Sequence, residues 1–221
     1  TGRSDRERRL GGAAEMFAHW KEAEGYAPKD FLLISGGDIA TGPPLAILFE
    51  GDPVVSVMNL MGYDVNVLGN HDFDFGLNRL LAWQKAAAFP FISANLANPD
   101  GTPSRLVAPY IINQEQGVKI AVIGLTTLAF HELGLTDGIH TTPYAEALRK
   151  AVITARAKGA EVIIVAAHVP FSEMLDLAKE VADLALPLML AADDHRLTKS
   201  KVGQTWVVDD GEKWHSYARI D

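Results

Sequence analysis

Two hydrophobic periods alternate along the chain. After Gly11-Gly12, the residues Ala13, Phe17 and Trp20 recur at helical spacing while Glu15, Lys21 and Glu22 fall elsewhere, which predicts an amphipathic helix. Residues 31–34 are apolar without a break, the pattern of a strand covered on both faces, and the run ends in Ser35-Gly36-Gly37-Asp38. Pro53 then opens a second helix with Val54, Val57, Met58 and Met61 on one side and Gly62 as its stop. A short strand at 64–68 and a helix at 77–88 follow, with a loop at 98–104. Strong strands are expected at 118–124 and 162–166. Between them Pro143 starts a helix carrying Leu148, Val152 and Ala155 on one face. A last helix groups Met174, Leu177, Ala178 and Val181, and residues 186–190 read as one more buried strand. Segments 205–208 and 216–220 suggest a closing hairpin. Strand and helix alternate with no internal repeat, low-complexity tract or linker, so the pattern predicts an α/β layered fold with sheets buried between helices.

Composition narrows the function. At 221 residues the chain can bury a sizeable core as one domain. A net charge of −8 argues against broad binding of a nucleic-acid polymer or an anionic membrane, and any phosphate handled here needs a metal to offset the acidic balance. The absence of Cys removes disulfides, thiolate metal sites and a Cys nucleophile, and leaves the redox compartment open. No apolar run approaches the ~20 residues that span a bilayer. No secretory signal heads the chain, and a mature secreted protein would have lost one.

The candidate chemistry falls at one kind of place. Asp38 follows the strand at 31–34, Asn70 and His71 follow the strand at 64–68, His168 follows the strand at 162–166, and Asp193 with His195 follow the strand at 186–190. Taken singly, Asp38 reads equally well as a turn cap, His168 as a hydrogen-bonded core histidine, and Asp193-Asp194-His195 as a solvated turn. Their recurrence at four strand ends points instead to one site, because the crevice beyond the carboxyl ends of α/β strands is where ligands bind. Carboxylate oxygen, amide oxygen and imidazole nitrogen together suit a divalent metal such as Mn²⁺, Zn²⁺ or Fe²⁺, and the lack of thiolates disfavours a purely structural zinc. An Asp after the first strand can bridge two metals, and a pair ~3.5–4 Å apart clamps an in-line phosphoryl transfer and activates a water.

Several motifs carry a family resemblance over nearly the whole chain. Gly36-Gly37-Asp38 with Thr41-Gly42-Pro43, the stretch 59–62 leading to Gly69-Asn70-His71-Asp72-Phe73-Asp74-Phe75-Gly76, the stretch 89–96 (FPFISANL) and Ile123-Gly124-Leu125-Thr126-Thr127 resemble the catalytic domain of bacterial 5'-nucleotidases, which are calcineurin-like metallophosphatases. The resemblance implies a four-layer α/β/β/α sandwich of the metallophosphatase type and a metal-dependent phosphoesterase. Its expected substrate is a small-molecule phosphate monoester, a nucleotide or a related compound.

The resemblance also implies roles. Asp38 is the bridging metal ligand, and Asn70 and His168 bind the second metal. Asp193 stands where the family has a second-metal His, and His195 at the first-metal position. His71 sits beside the phosphate with Asp74 accepting from its other ring nitrogen, while Asp72 reads as an ordinary turn residue, a supporting place behind the metal ligands being the alternative. Asn95 is a candidate substrate-lining residue, with turn capping an equal reading. His19, His131, His140 and His215 have no partner pattern.

The family begins with a strand ending in Asp-x-His-Gly, whereas this chain begins Thr1-Gly2-Arg3. The expectation is therefore one metallophosphoesterase domain over 1–221, without that first strand and without the C-terminal nucleotide-specificity domain, holding two divalent metals only if the motif lies upstream. A periplasmic or extracellular location follows from the resemblance. A degenerate, non-catalytic binding domain and a sulfur-ester hydrolase of the same superfamily are the alternatives.

Overall fold

The computed structural model describes residues 12–28, 30–129 and 136–221. His131 lies outside the described residues. The elements run, in chain order, α1 (Ala13–Ala23), β1 (Ile34–Ser35), α2 (Pro44–Leu48), α3 (Asp52–Met61), β2 (Val65–Val67), a 3₁₀ turn (His71–Phe73), α4 (Leu77–Ala86), β3 (Phe91–Ile92), β4 (Leu96–Ala97), β5 (Tyr110–Glu115), β6 (Val118–Thr126), β7 (His140–Thr141), α5 (Tyr144–Ala157), β8 (Val162–His168), α6 (Phe171–Glu180), β9 (Leu188–Ala192), β10 (Leu197–Val202) and β11 (Thr205–Asp210).

Two sheets form the middle of a four-layer sandwich. One has three parallel strands in the order β1-β2-β3; the other has six in the order β10-β11-β9-β8-β6-β5. Val65, Val67 and Ile92 of the small sheet pack directly on Val122 and Ala166 of the large one. The sheets approach closely at Gly124, where a Cβ would stand 2.7 Å from the Ile92 carbonyl oxygen. Because side chains alternate along a strand, the opposite face of the large sheet carries Ile123, Leu125, Ile163 and Val165, which bury Leu148 and Val152 of α5 and Met174 and Leu177 of α6. The outer layer of the small sheet is built from Val55 and Met58 of α3 and Leu80 and Trp83 of α4, around Phe73 and Phe91. The expected α/β/β/α architecture is the one observed.

Local departures have physical causes. The apolar run at 31–34 becomes a strand only at Ile34–Ser35, and its residues are half-buried, because β1 is an edge strand of the small sheet. In α3 the buried stripe is Val55, Met58 and Met61, with Val54 and Val57 on its flanks. The closing hairpin pairs Thr205–Asp210 with Leu197–Val202 rather than with 216–220, since Gly203 at φ 60 supplies the tight turn. The segment after β11 instead lies on α1, where Tyr217 donates to Glu24 at 2.6 Å. Strand β5 has no expectation in the apolar pattern; it is paired to β6 through Gln116-Gly117, both at positive φ.

Candidate active site

The crevice lies where the carboxyl ends of parallel strands from both sheets meet. Asp38 follows β1, Asn70 and His71 follow β2, His168 ends β8 and Asp193 follows β9. The His168 imidazole is buried and donates from Nδ1 to the Gly36 carbonyl at 2.8 Å, which fixes its tautomer and turns Nε2 to the crevice. That Nε2 lies 3.0 Å from Asp38 Oδ2 and 3.5 Å from Asp193 Oδ1, yet makes no well-aligned hydrogen bond to either. Asn70 Oδ1 is likewise buried without a hydrogen-bond partner. The close approach needs glycine: a Cβ on Gly69 would collide with Asp38 Oδ1, and one on Gly37 would stand 2.7 Å from the Gly69 nitrogen.

Electrostatics follow from burial and proximity. Burial alone would hold His168 neutral, but the Asp193 and Asp38 carboxylates outweigh it and raise its pKa to about 10. The same contact with His168 holds Asp193 below the usual carboxylate range. His71 stands apart on the open side. Its Nδ1 pairs with Asp74 Oδ2 at 2.8 Å, and its backbone N–H donates to Asp38 Oδ1 at 2.9 Å. With Nδ1 engaged by the carboxylate, Nε2 is the ring atom left to meet a ligand.

The structure brings Asp38, Asn70, His71, His168 and Asp193 together, with Asp74 behind His71. His195 stands within electrostatic reach of Asp193 but is paired elsewhere. Asp193 has φ 106 and His195 φ 55, so the chain is not extended here, and His195 turns out to Glu212 at 3.2 Å. Asp194 turns the other way and accepts the Phe171 N–H at 3.2 Å at the start of α6. Asn95 is not a lining residue either. It is fully buried, donating to the Thr126 and Thr142 carbonyls and accepting the Thr126 N–H at 2.8 Å, as a tie between segments.

Asp72 is more than the ordinary turn residue that the leading sequence reading made it. It is fully buried and accepts backbone N–H groups from Gly69 at 2.9 Å, Ile39 at 3.0 Å and Asp38 at 3.2 Å. Burial and the adjacent Asp38 charge push its pKa up to about 7 against those bonds. The signal in the sequence was a carboxylate between His71 and Phe73 in a tight turn, but two of its three donors lie more than thirty positions upstream.

The donor set fits a divalent cation in chemistry: two carboxylates, an amide oxygen and an imidazole nitrogen, two of these atoms buried without a hydrogen bond. Among the described residues, however, no group of three or more His, Asp or Glu is arranged to hold a metal ion by itself. Any such centre draws on the Asn70 amide.

No family model matches the chain. A 5'-nucleotidase of Vibrio parahaemolyticus is 48% identical over 103 residues, which is 47% of this chain and 18% of that protein. The 5'-nucleotidase precursor of Thermus thermophilus superimposes with a TM-score of 0.80 at 26% identity, covering 92% of this chain and 44% of that one. The Bacillus subtilis calcineurin-like phosphoesterase YfkN shares the fold, with a TM-score of 0.77 at 24% identity over 93% of this chain and 74% of that one. The fold is therefore the one that a calcineurin-like phosphoesterase and a 5'-nucleotidase precursor share. In sequence the chain is similar to bacterial 5'-nucleotidases over about half of its length. It spans about a fifth to a quarter of the length of the curated relatives it matches.

Proposed function

We propose that this chain is a metal-dependent phosphoesterase domain that hydrolyses phosphate monoesters of nucleotides or related compounds. The observation that supports it above all is the meeting of Asp38, Asn70, His168 and Asp193 from four strand ends, with His168 Nε2 and Asn70 Oδ1 buried and unbonded. In this reading Asp38, Asn70, His168 and Asp193 hold a divalent cation, which when bound supplies positive charge against the phosphate and makes a water acidic enough to attack. His71 binds the phosphoryl group from the open side. With its Nδ1–H engaged by Asp74, a protonated Nε2 donates to a phosphoryl oxygen as negative charge builds there, or to the departing alkoxide. Asp74 stabilises that cationic form and fixes the ring plane.

The sulfur-ester alternative is less favoured, because relatives at 42–50% identity include proteins named 5'-nucleotidase. An exported location accompanies the reading, and among the described residues no helix is long and apolar enough to cross a membrane. The test is phosphate release from nucleoside 5'-monophosphates by the purified chain with Mn²⁺, beside a chelated control. Metal-dependent turnover supports the proposal. A chain that binds nucleotide without hydrolysing it is the degenerate binding domain instead.

A further inference from the structure

We infer that Asp72 is the positioning residue of this centre: its carboxylate locks the loop after β1 onto the loop after β2, so that Asp38 is presented to the crevice before any ligand arrives. The inference rests on the phosphoesterase reading above and gives a role to a buried side chain which that reading leaves unused.

The need for such a lock follows from how little else joins the two loops. β1 and β2 pair only at Ile34↔Val65 and Ser35↔Asn66, so the ladder ends before either loop begins. Beyond it, hydrogen bonds run in both senses. Asp72 takes the N–H groups of Asp38 and Ile39, while Asp38 takes the N–H of His71. Each loop thus caps the other's carboxylate with its own backbone.

Backbone conformation makes the arrangement specific. Asp38 sits at φ 55 directly after Gly37 at φ 100, a left-handed position that costs a non-glycine residue ~1–2 kcal/mol. That cost is tolerated where the surroundings fix the conformation. The turn points the successive N–H groups of Asp38 and Ile39 to one side, which makes an anion-binding concavity, and the Asp72 carboxylate fills it. Gly69 supplies a third donor from Asp72's own loop. From the far side, the Gly36 carbonyl is held by His168 of the large sheet, so the Gly36–Asp38 turn is gripped from both sheets.

The chemistry of the side chain matters more than its size. Among the described residues no Lys or Arg forms an ion pair with Asp72, so its burial depends on filled acceptor sites. An amide accepts through one oxygen and would turn N–H groups toward N–H donors. A longer carboxylate keeps both oxygens.

The experiment uses the full chain in three forms, parent, Asp72→Asn and Asp72→Glu, with Val165→Ala as a stability control from the large-sheet core. Amide hydrogen exchange is followed by NMR on chelator-treated protein, and Mn²⁺ affinity by calorimetry. Asp72→Asn should speed exchange at Asp38, Ile39 and Gly69 by about tenfold or more while Ile123 and Val165 keep their protection, and should weaken Mn²⁺ binding about 10–100-fold. Asp72→Glu should recover most of both, and Val165→Ala should lower Tm without moving either. If Asp72→Asn does not fold, Asp72→Ser, which keeps one acceptor, is read the same way. A uniform rise in exchange across the core, or Mn²⁺ affinity equal to the parent's, would overturn the inference. Should the parent itself take up no Mn²⁺, the metal reading fails, and the exchange pattern alone decides whether Asp72 fixes Asp38.

Discussion

In the six-stranded sheet β6 and β8 pair over seven register positions, from Ile120↔Val162 to Thr126↔His168, whereas in the three-stranded sheet β1 and β2 pair over two. The first region is held by long ladders and by apolar side chains buried on both faces. The second has short strands, left-handed turns at Gly37 and Asp38, and polar groups buried at the protein's heart: Asp72, Asn66 and Asn70 Oδ1. The large sheet delivers two side chains, His168 and Asp193, to a crevice that the small sheet surrounds with loops. Precision there comes from hydrogen bonds between loops, because two-residue strands cannot provide it.

The largest test of this division is His71→Ala. It should lower kcat by about 10²–10⁴ with Mn²⁺ affinity almost intact, since His71 touches phosphate and not metal in the proposed arrangement. Metal analysis beside steady-state kinetics checks it, and loss of metal together with activity would make His71 a ligand.

The converse experiment lies in the large sheet. Leu148→Ala removes a fully buried side chain between α5 and β6 and should cost about 2–5 kcal/mol in urea unfolding while Mn²⁺ affinity in the folded protein stays unchanged. Coupled loss of affinity would mean that the two regions are not separable.

A third substitution should improve the small sheet. Asn66 is fully buried in β2, and neither end of its amide has a hydrogen-bond partner. Asn66→Val removes that unbonded polar group at a strand position that suits a β-branched residue, and should raise stability by about 1–3 kcal/mol. A lower Tm would reveal an interaction of the amide that outweighs its burial.

The smallest effect concerns pH. Burial, with the Asp194 carboxylate alongside, raises Asp209 to a pKa of about 6, against about 4 in an unfolded chain. The folded protein therefore binds this proton more tightly than the unfolded one, so Asp209 favours folding at low pH. Its contribution declines as pH rises from about 4 to about 6. Urea midpoints across that window should fall with pH in the parent and fall less steeply in Asp209→Asn, where Asp72 still contributes a slope of the same sign. A parallel slope in the variant would assign the dependence to other groups.

The same contrast explains what the sequence made legible. Strands β6 and β8 and helices α5 and α6 announce themselves because apolar period and burial coincide. The apolar residues 31–33 mislead because their pattern belongs to an interior strand, while their place in the fold is beside an edge. The site was visible as chemistry at strand ends, so Asp38, Asn70, His71 and His168 could be found from order alone. His195 could not be placed, since the left-handed turns at Asp193 and His195 redirect side chains in a way no period encodes. Asn95 and Asp72 exchange their expected importance for the same reason: what each bonds to is set by distant backbone.

The bond from His168 Nδ1 to the Gly36 carbonyl spans 132 positions of sequence. The hairpins β5–β6 and β10–β11, by contrast, close through turns of a few residues and can form early. Bringing residues so far apart into register requires most of the intervening chain to be ordered already, because loop closure must be offset before the contact rewards it. The crevice should therefore assemble last, with a slow refolding phase at the Asp38 and Ile39 amides after the β6 and β8 amides are protected.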